Sequence, residues 1–230
     1  MFIVVTGASK GIGLEIVKQL AADDDNSILA VSRSNKTLNL LKKEHSNILV
    51  LSGDITSSSV QKNILATAKK HAKHIDILIH NAGSIVNKPF EKISADELKN
   101  VYGVNVFAPF LLTQTLLPLM GKKTKTHVIN ISSMGGVQGS SKFPGLSAYS
   151  SSKAALAGLT ECLAEELKEK NIAVNCLALG AVQTEMLGKA FPGYKAPLSP
   201  KQMANFIIDF ALTGHQYFNG KIIPVSSTTP

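Results

Sequence analysis

Two side chains in the second half of the chain have the types and spacing that acid–base chemistry requires. Tyr149 and Lys153 stand four residues apart in a segment with a helical pattern, so they share one face of the predicted helix. An ammonium beside a phenol favours the phenolate and lowers the pKa of the phenol, which can then exchange a proton with a carbonyl or alcohol oxygen. Because a Tyr-x-x-x-Lys pair is also a common surface pairing, its meaning depends on the residues that precede it.

Polar residues earlier in the chain extend the same chemistry. Ser133 ends the apolar run that begins at His127, which puts it at the carboxyl end of a predicted strand, where open α/β sheets place their ligands. Its hydroxyl can hold a substrate oxygen, although capping of the strand end would equally explain Ser132 and Ser133. Asn105 lies in an otherwise apolar predicted helix, where a buried amide needs partners, either backbone groups or a water.

The loop after the first predicted strand is rich in glycine and suits a phosphate. It spans Thr6–Gly13, reads TGASKGIG and runs directly into a predicted helix. Glycines allow a sharp turn and a close backbone approach to a pyrophosphate, and the helix N-terminus presents free N–H groups to the anion. The spacing of the glycines is G-x-x-x-G-x-G, which differs from a Walker A loop. It also differs from G-x-G-x-x-G, because Ile16 stands where the third glycine of that motif would be. We predict a nucleotide site here.

The end of the second predicted strand indicates which nicotinamide cofactor the chain prefers. An acidic residue there would bond the ribose 2′-hydroxyl of NAD, whereas an arginine accommodates the 2′-phosphate of NADP. The sequence has Ser32 and Arg33 at this point, and Lys10 adds a second cation from the glycine loop. We therefore predict NADP(H), with the alternative that both cations are solvated surface groups. Asp54, after the third predicted strand, can bond the adenine amino group or cap the following turn.

The rest of the sequence predicts the elements that position these residues. The predicted strands are Phe2–Val5, Ser27–Val31, Ile48–Leu51, Asp76–His80, His127–Ile131, Ala173–Ala178 and Lys221–Pro224. The predicted helices lie near Gly11–Ala22, Lys36–His45, Ser58–His74, Ala95–Met120, Ala148–Lys170 and Pro200–Thr213. Because strands and helices alternate throughout, we expect an α/β fold: a Rossmann-type, doubly wound, seven-stranded and mostly parallel sheet with helices on both faces.

The bulk composition excludes several classes of protein. The chain has 230 residues, of which 44% are hydrophobic and 17% charged, and this fits one globular domain over residues 1–230. Its net charge of +8 would suit nucleic acid, an acidic membrane or a phosphorylated small molecule. No nucleic-acid recognition motif is visible and the lysines are scattered, so we expect no nucleic-acid partner. The apolar stretch Val104–Met120 is interrupted by polar residues and prolines, so we expect a buried helix and no membrane partner.

The cysteines and the two ends of the chain bear on its compartment. Cys162 and Cys176 cannot form a disulfide framework and lack a metal-binding spacing, so we expect two core residues and no metal site. No basic segment precedes the apolar residues at the N-terminus, which disfavours a secretory signal. We expect a reduced, cytoplasmic protein with a frayed end at Ser226–Pro230.

Considered together, these motifs resemble the short-chain dehydrogenase/reductase family, in its compact, single-domain branch. The glycine loop, Asp54, the Asn-Ala-Gly motif at Asn81–Gly83 and the polar residues above match in order over essentially the whole chain. The resemblance implies the catalytic residues Asn105, Ser133, Tyr149 and Lys153. It also implies cofactor contacts by Gly7, Ser9, Lys10, Gly11, Ile12, Gly13, Arg33, Asp54, Ile55, Asn81, Ala82, Gly83, Tyr149, Lys153, Val182 and Thr184.

The resemblance assigns a role to each catalytic residue. Tyr149 would be the general acid in reduction and the base in oxidation, while hydride moves to or from the nicotinamide ring. Lys153 would bond the nicotinamide ribose and lower the pKa of Tyr149. Ser133 would orient the substrate carbonyl, and Asn105 would hold a water that links Lys153 to solvent.

Three departures from the family pattern carry expectations of their own. Leu179 replaces a family proline, so we expect a changed or looser loop there. The span from Ser133 to Tyr149 is long, which leaves open whether Ser132 or Ser133 faces the substrate. The substrate loop at residues 185–198 is short, from which we expect an open site that accepts bulky carbonyls.

The sequence thus predicts an NADP(H)-dependent oxidoreductase, a carbonyl reductase acting on a small-molecule ketone or aldehyde or the corresponding alcohol. One alternative is a 3-oxoacyl-carrier-protein reductase, whose acidic partner would need a basic patch such as Lys142, Lys189 and Lys195. Another alternative is a non-catalytic NADP(H)-sensing regulator. All four catalytic positions are filled, which argues against it, because a relative without activity would often lack Tyr149 or Lys153. We expect a homodimer or homotetramer that pairs through the helices Ala95–Met120 and Ala148–Lys170.

Overall fold

A computed structural model describes residues 1–227 and contains one seven-stranded sheet. The strands are β1 Phe2–Thr6, β2 Ser27–Ser32, β3 Ile48–Ser52, β4 Ile77–His80, β5 Thr126–Ser133, β6 Ile172–Leu179 and β7 Ile222–Val225. The α-helices are α1 Gly11–Leu20, α2 Asn35–Glu44, α3 Ser58–His71, α4 Ala95–Tyr102, α5 Ala108–Leu116, α6 Ser147–Leu167, α7 Glu185–Ala190 and α8 Pro200–Thr213. All seven predicted strands are found, with bounds that differ by no more than two residues. The last three residues of the predicted frayed end 226–230 lie outside the described residues.

The strand order is β3-β2-β1-β4-β5-β6-β7, and every neighbouring pair is parallel. The sequence order therefore runs outward from β1 in one direction and then outward from β4 in the other. Crossovers that diverge in this way leave the carboxyl ends of β1 and β4 uncovered, and this is where open α/β sheets bind ligands. The predicted doubly wound, Rossmann-type sheet is confirmed, and it is entirely parallel in the described residues.

Helices cover both faces of the sheet because successive strand residues point to opposite sides. In β1, Ile3 and Val5 belong to a core shared with α1, α2 and α8, whereas Phe2 and Val4 belong to a core shared with α3, α5 and α6. All four side chains are buried. Strands that are buried on both faces read as continuous apolar runs, which is why their positions were predictable from the sequence.

Two helical segments differ from the sequence-based expectation. The predicted helix Ala95–Met120 is divided, because residues Gly103–Phe107 form a π-helical turn between α4 and α5. Such turns are frequent at functional sites, and this one contains Asn105. The predicted loop 185–198 contains the short helix α7, whose N-cap is the hydroxyl of Thr184.

The helical stretch Ala95–Leu119 is long and apolar enough to cross a membrane, a test that core helices of soluble proteins also pass. Its residues Leu112 and Leu116 are fully buried against the sheet. Cys176 is buried as expected, but the prediction for Cys162 is wrong, because that residue lies on the outward face of α6.

Candidate active site

A cleft of about 610 Å³ runs along the carboxyl ends of the strands. One end is bounded by the glycine loop and by the ends of β2 and β3, and the other by the segments that follow β5 and β6. All predicted site residues line it except Gly13 and Asn105, which lie directly behind its wall. The volume lies in the usual range for small-molecule and cofactor sites.

The glycine loop is held by contacts too close for any side chain. Gly7 has a φ of 71°, and a Cβ added there would lie 2.8 Å from Cα of Ala82. A Cβ at Gly13 would lie 2.3 Å from Nδ2 of Asn81. Asn81 Nδ2 also donates to the carbonyl oxygens of Thr6 and Gly7, at 3.1 and 3.2 Å. Asn81 therefore shapes the loop through its side chain, in addition to lining the cleft.

The N-terminus of α1 opens onto the cleft without a side-chain cap. Its N-cap residue, Lys10, makes no capping hydrogen bond with its side chain, whereas α8 is closed by a reciprocal box between Ser199 and Gln202. The backbone N–H groups at the start of α1 are thus available to an anion, with Ser9 and Ile12 beside them. This arrangement fits the pyrophosphate of a nicotinamide dinucleotide.

Arg33 and Asp54 lie at the far side of the same end of the cleft. Asp54 Oδ1 accepts hydrogen bonds from the backbone N–H and the hydroxyl of Thr56, at 2.9 and 2.7 Å. These bonds and the Arg33 charge hold the pKa of Asp54 below its usual value. Asp54 therefore caps the turn, as one predicted alternative required, and Ile55 beside it is buried against the cleft. Arg33 is exposed, with Ser32 buried just before it.

Lys10 reaches across the cleft to α7. Its ammonium lies 3.1 Å from Glu185 Oε2, and Lys189 lies 2.7 Å from the other carboxylate oxygen. Hydrogen bonds from Lys189 and Lys10 lower the pKa of Glu185 to about 2. Lys10 therefore has an acidic partner in this structure, although both side chains are exposed, and its contact with a phosphate stays a prediction. Sequence reasoning missed Glu185, whose only signal was its position directly after Thr184.

Tyr149 lies in the first turn of α6, half-buried in the cleft wall. Burial raises the pKa of Tyr149, and a hydrogen bond with the Ser133 hydroxyl acts in the opposite direction. Ser132 instead donates to the backbone carbonyl of Lys153, at 2.9 Å. Both serines line the cleft, and Ser132 fastens α6 to the sheet; that Ser133 faces the substrate stays a prediction.

Lys153 is almost completely buried and donates to the carbonyl oxygen of Ile131, at 2.7 Å. Its ammonium lies 5.9 Å from the centre of the Tyr149 ring, and burial lowers the pKa of Lys153 to about 8. The ammonium faces a backbone carbonyl and the ring, and burial is the largest influence on the pKa of Tyr149. The role of Lys153 in lowering this pKa stays a prediction.

Asn105 has protein partners for both ends of its buried amide. Oδ1 accepts from the N–H of Ser84 at 2.8 Å, while Nδ2 donates to the Ser84 carbonyl and to the Ser152 hydroxyl, each at 2.9 Å. These bonds join the segment after β4 to α6, close to Gly83. The side-chain amide is therefore satisfied within the protein, and the role of Asn105 in holding a water stays a prediction.

The segment after β6 is ordered by the sheet. Leu179 is the last residue of β6 and pairs with Ser133 on one side and Val225 on the other. Leu179 itself is therefore held in the sheet, and the changed or looser loop expected from this replacement of proline stays a prediction. Val182 bridges to Leu198, and the methyl carbon of Thr184 would lie 3.4 Å from a Cβ added at Gly11. Both residues line the cleft opposite the glycine loop.

Comparison with known proteins agrees with this geometry. The family model described as short chain dehydrogenase matches residues 1–195. L-2,3-butanediol dehydrogenase from Corynebacterium glutamicum is 30% identical, over 96% of this chain and 95% of its own. A 3-oxoacyl-acyl-carrier-protein reductase from Aquifex aeolicus is 29% identical, over 97% and 94% of the two chains.

Two solved structures share the fold and differ in the cofactor they hold. 4-Hydroxyisoleucine dehydrogenase complexed with NADH has a TM-score of 0.87 and 26% identity, and covers 98% of this chain and 96% of its own. L-Sorbose reductase from Gluconobacter frateurii, complexed with NADPH and L-sorbose, also has a TM-score of 0.87, at 25% identity over 99% and 95% of the chains. The shared fold thus accommodates either nicotinamide cofactor.

Proposed function

The chain belongs to the short-chain dehydrogenase family, and on that basis we propose that it is an NADP(H)-dependent carbonyl reductase. Oxidoreductases of this family interconvert CH–OH and C=O groups with a nicotinamide cofactor, which supplies the hydride when bound. The observation that carries the proposal is that Ser133, Tyr149 and Lys153 line one cleft, with the buried Lys153 ammonium 5.9 Å from the centre of the Tyr149 ring. These three groups supply what a carbonyl needs for reduction: a hydrogen-bond donor, a proton and a nearby positive charge.

The protonation states are compatible with proton donation by Tyr149. Burial holds the pKa of Tyr149 above its usual value, so its phenol is neutral at neutral pH and has a proton to donate. Lys153, with a pKa of about 8, is mostly an ammonium under the same conditions. In this proposal Ser133 holds the substrate oxygen and Tyr149 protonates it, while Lys153 stabilises the phenolate that forms.

The preference for NADP(H) rests on the end of β2. Arg33 is exposed on the cleft after the uncharged Ser32, and no acidic residue stands there to repel a 2′-phosphate. The guanidinium is suited to binding a phosphate through two hydrogen bonds. The backbone from Gly7 to Gly13 would hold the pyrophosphate, Val182 and Thr184 the carboxamide, and Asp54 the adenine.

A 3-oxoacyl-carrier-protein reductase is the second candidate, favoured by the similarity to the Aquifex aeolicus enzyme. Its acidic partner would need free lysines around the cleft. However, Lys142 donates to carbonyl oxygens of its own loop, at 2.6 and 3.2 Å, and Lys189 is paired with Glu185. Since two of the three proposed lysines have partners, we favour a free small-molecule carbonyl.

The assembly and location are also part of the proposal. We propose one domain over residues 1–230, with 185–198 as its substrate segment, acting in the cytoplasm without a nucleic-acid or membrane partner. Large apolar side chains are exposed on α4, α5 and the turn between them, namely Leu98, Phe107, Phe110 and Leu111. Such a patch fits pairing with a second copy. Light scattering would distinguish a homodimer or homotetramer from a monomer.

Reduction of a panel of ketones and aldehydes, followed by loss of NADPH absorbance, tests the proposal. Turnover should be faster with NADPH than with NADH, and Tyr149→Phe should lower kcat by about a thousandfold while NADPH binding is kept. Tyr217→Phe removes a hydroxyl outside the cleft and should change nothing. Tight NADPH binding without turnover of any carbonyl would instead support the NADP(H)-sensing regulator.

A further inference from the structure

The cleft changes character from one end to the other. Its charged lining residues, within the described part of the chain, are Lys10, Arg33, Asp54 and Lys153. The first three follow β1, β2 and β3, on one side of the sheet centre. Ser133 ends β5 on the other side, and Tyr149 lies in the helix α6 that comes after it. Beyond Tyr149, the lining is therefore free of charged groups other than the buried Lys153.

The lining at the Tyr149 end is dominated by large apolar side chains. Met134 and Leu146 are close in sequence to the two hydroxyl-bearing residues Ser133 and Tyr149. The segments that follow β4 and β6 add more, so that the apolar wall consists of Ile85, Met134, Phe143, Leu146, Leu187 and Phe191. The other residues of this lining that can hydrogen-bond through a side chain are uncharged, for example Ser141 and Ser150.

The rings of Phe143 and Phe191 meet edge to face in the cleft. Their ring centres are 5.3 Å apart at an angle of 80°, a favourable geometry for two aromatic rings. Phe143 comes from the segment between β5 and α6, and Phe191 directly follows α7. Both are half-buried, so each still presents part of its ring to the cleft.

One short segment tethers both phenylalanines. Asn87 Nδ2 donates to the carbonyl of Ala190, next to Phe191, at 2.7 Å. The N–H of Lys88 donates to the carbonyl of Gly145, two residues after Phe143, at 3.1 Å. Adjacent residues of one segment thus hydrogen-bond to the backbone close to each of the two phenylalanines.

We propose that this end of the cleft selects uncharged carbonyl compounds that carry an aromatic or bulky apolar group, which packs against Phe143 and Phe191. The inference rests on the proposed function and specifies the substrate class. A carboxylate beside the reacting carbonyl would lose water and find no cation except Lys153, which already donates to a backbone carbonyl. An aryl group would instead bury apolar surface against apolar surface.

Ethyl benzoylformate and benzoylformate provide a matched pair for the test, since they share the phenyl ketone and differ in the charge beside it. With NADPH, kcat/KM should be at least about thirtyfold higher for the ester. Methyl pyruvate, which has the ester but no ring, should have a higher KM than ethyl benzoylformate. Equal or better turnover of benzoylformate would overturn the proposal.

Variants identify the residues responsible. Phe191→Ala should raise KM for ethyl benzoylformate about tenfold and leave methyl pyruvate within about twofold, with Phe143→Ala acting in the same direction. Phe206→Ala, on α8 outside the cleft, is the control and should affect neither ester. Phe191→Leu covers the case in which the alanine variant does not fold. An equal effect on both esters would contradict a selective role for the ring.

A binding experiment separates this inference from the proposed function. The Tyr149→Phe variant holding NADPH should bind ethyl benzoylformate more tightly than benzoylformate in calorimetry, with no turnover required. If the wild-type protein reduces carbonyls but prefers the charged compound, only the substrate class is wrong. If the ester binds selectively and no carbonyl is reduced, the oxidoreductase proposal is wrong and the apolar site remains.

Discussion

At the glycine-loop end of the cleft, the shape of the wall is determined by backbone packed against backbone. At the Phe143–Phe191 end, it is determined by side chains on segments that hydrogen bonds hold in place. A Cβ at Gly7 or Gly13 would approach neighbouring atoms to 2.9 Å or less, so this end admits almost no change of residue. At the aromatic end, the wall is formed by side chains such as those of Phe143 and Phe191. One end is therefore suited to a constant ligand, and the other can be adapted to different substrates by substituting side chains.

The largest effect should come from disturbing the backbone-defined end. Gly13→Ala would place a methyl group 2.4 Å from the carbonyl oxygen of Gly7, so the loop must move and the affinity for either nicotinamide cofactor should fall about a hundredfold. Gly158→Ala, on α6 with open space around it, is the matched control and should leave binding intact. Titration of intrinsic cofactor fluorescence measures both. Unchanged affinity in Gly13→Ala would mean that the loop does not hold the pyrophosphate.

A smaller and selective effect is expected at the phosphate-reading side chain. Arg33→Ala should lower the affinity for NADPH about tenfold and the affinity for NADH by less than about twofold, because only NADPH carries the 2′-phosphate. Lys36→Ala removes another exposed cation of the same region, in α2, that does not line the cleft. Dissociation constants for the two cofactors decide the matter. Equal losses for both would show that Arg33 does not read the phosphate.

The smallest effect concerns the carboxylate that joins the two ends. Glu185 binds the Lys10 ammonium across the cleft, so Glu185→Gln should release Lys10 and tighten NADPH binding about two- to fivefold, with NADH unchanged. The change is small because both groups are exposed to water. It should vanish in a Lys10→Met background and at high salt. An equal change in the affinity for NADH would indicate that the substitution acts through α7 and not through contact of Lys10 with the 2′-phosphate. Glu161→Gln, on α6, serves as the control.

The sequence predicted those parts of the fold that depend on short, repeated patterns. The buried strands appear as apolar runs, and glycines at fixed spacing mark the loop because only glycine fits there. Tyr149, Lys153 and Ser133 were predicted from helical spacing, strand position and family resemblance, and the structure brings them together. Their catalytic roles remain predictions.

The missed features depend on contacts between segments distant in the chain. Nothing local to Gly103–Phe107 indicates a π-helical turn. The hydrogen bonds of Asn105 join this turn to Ser84 and Ser152, which lie in other segments of the chain. The pairing of Lys10 with Glu185 spans 175 positions. The raised pKa of Tyr149 likewise reflects burial, which a spacing of four residues does not reveal.

The outer strand β7 also bears on whether the edge of the sheet can pair with a strand of another chain. The carbonyl oxygens of Lys221 and Val225 accept hydrogen bonds from Cys176 in β6 and from Gly180 just after it, so residues at alternate positions, including Pro224, direct their backbone groups outward. Pro224 has no N–H, and it is exposed in the middle of the outer strand β7. A foreign strand docking there would lack a donor in the centre of its ladder. A proline at this position therefore disfavours edge-to-edge pairing of β7 with a strand of another chain.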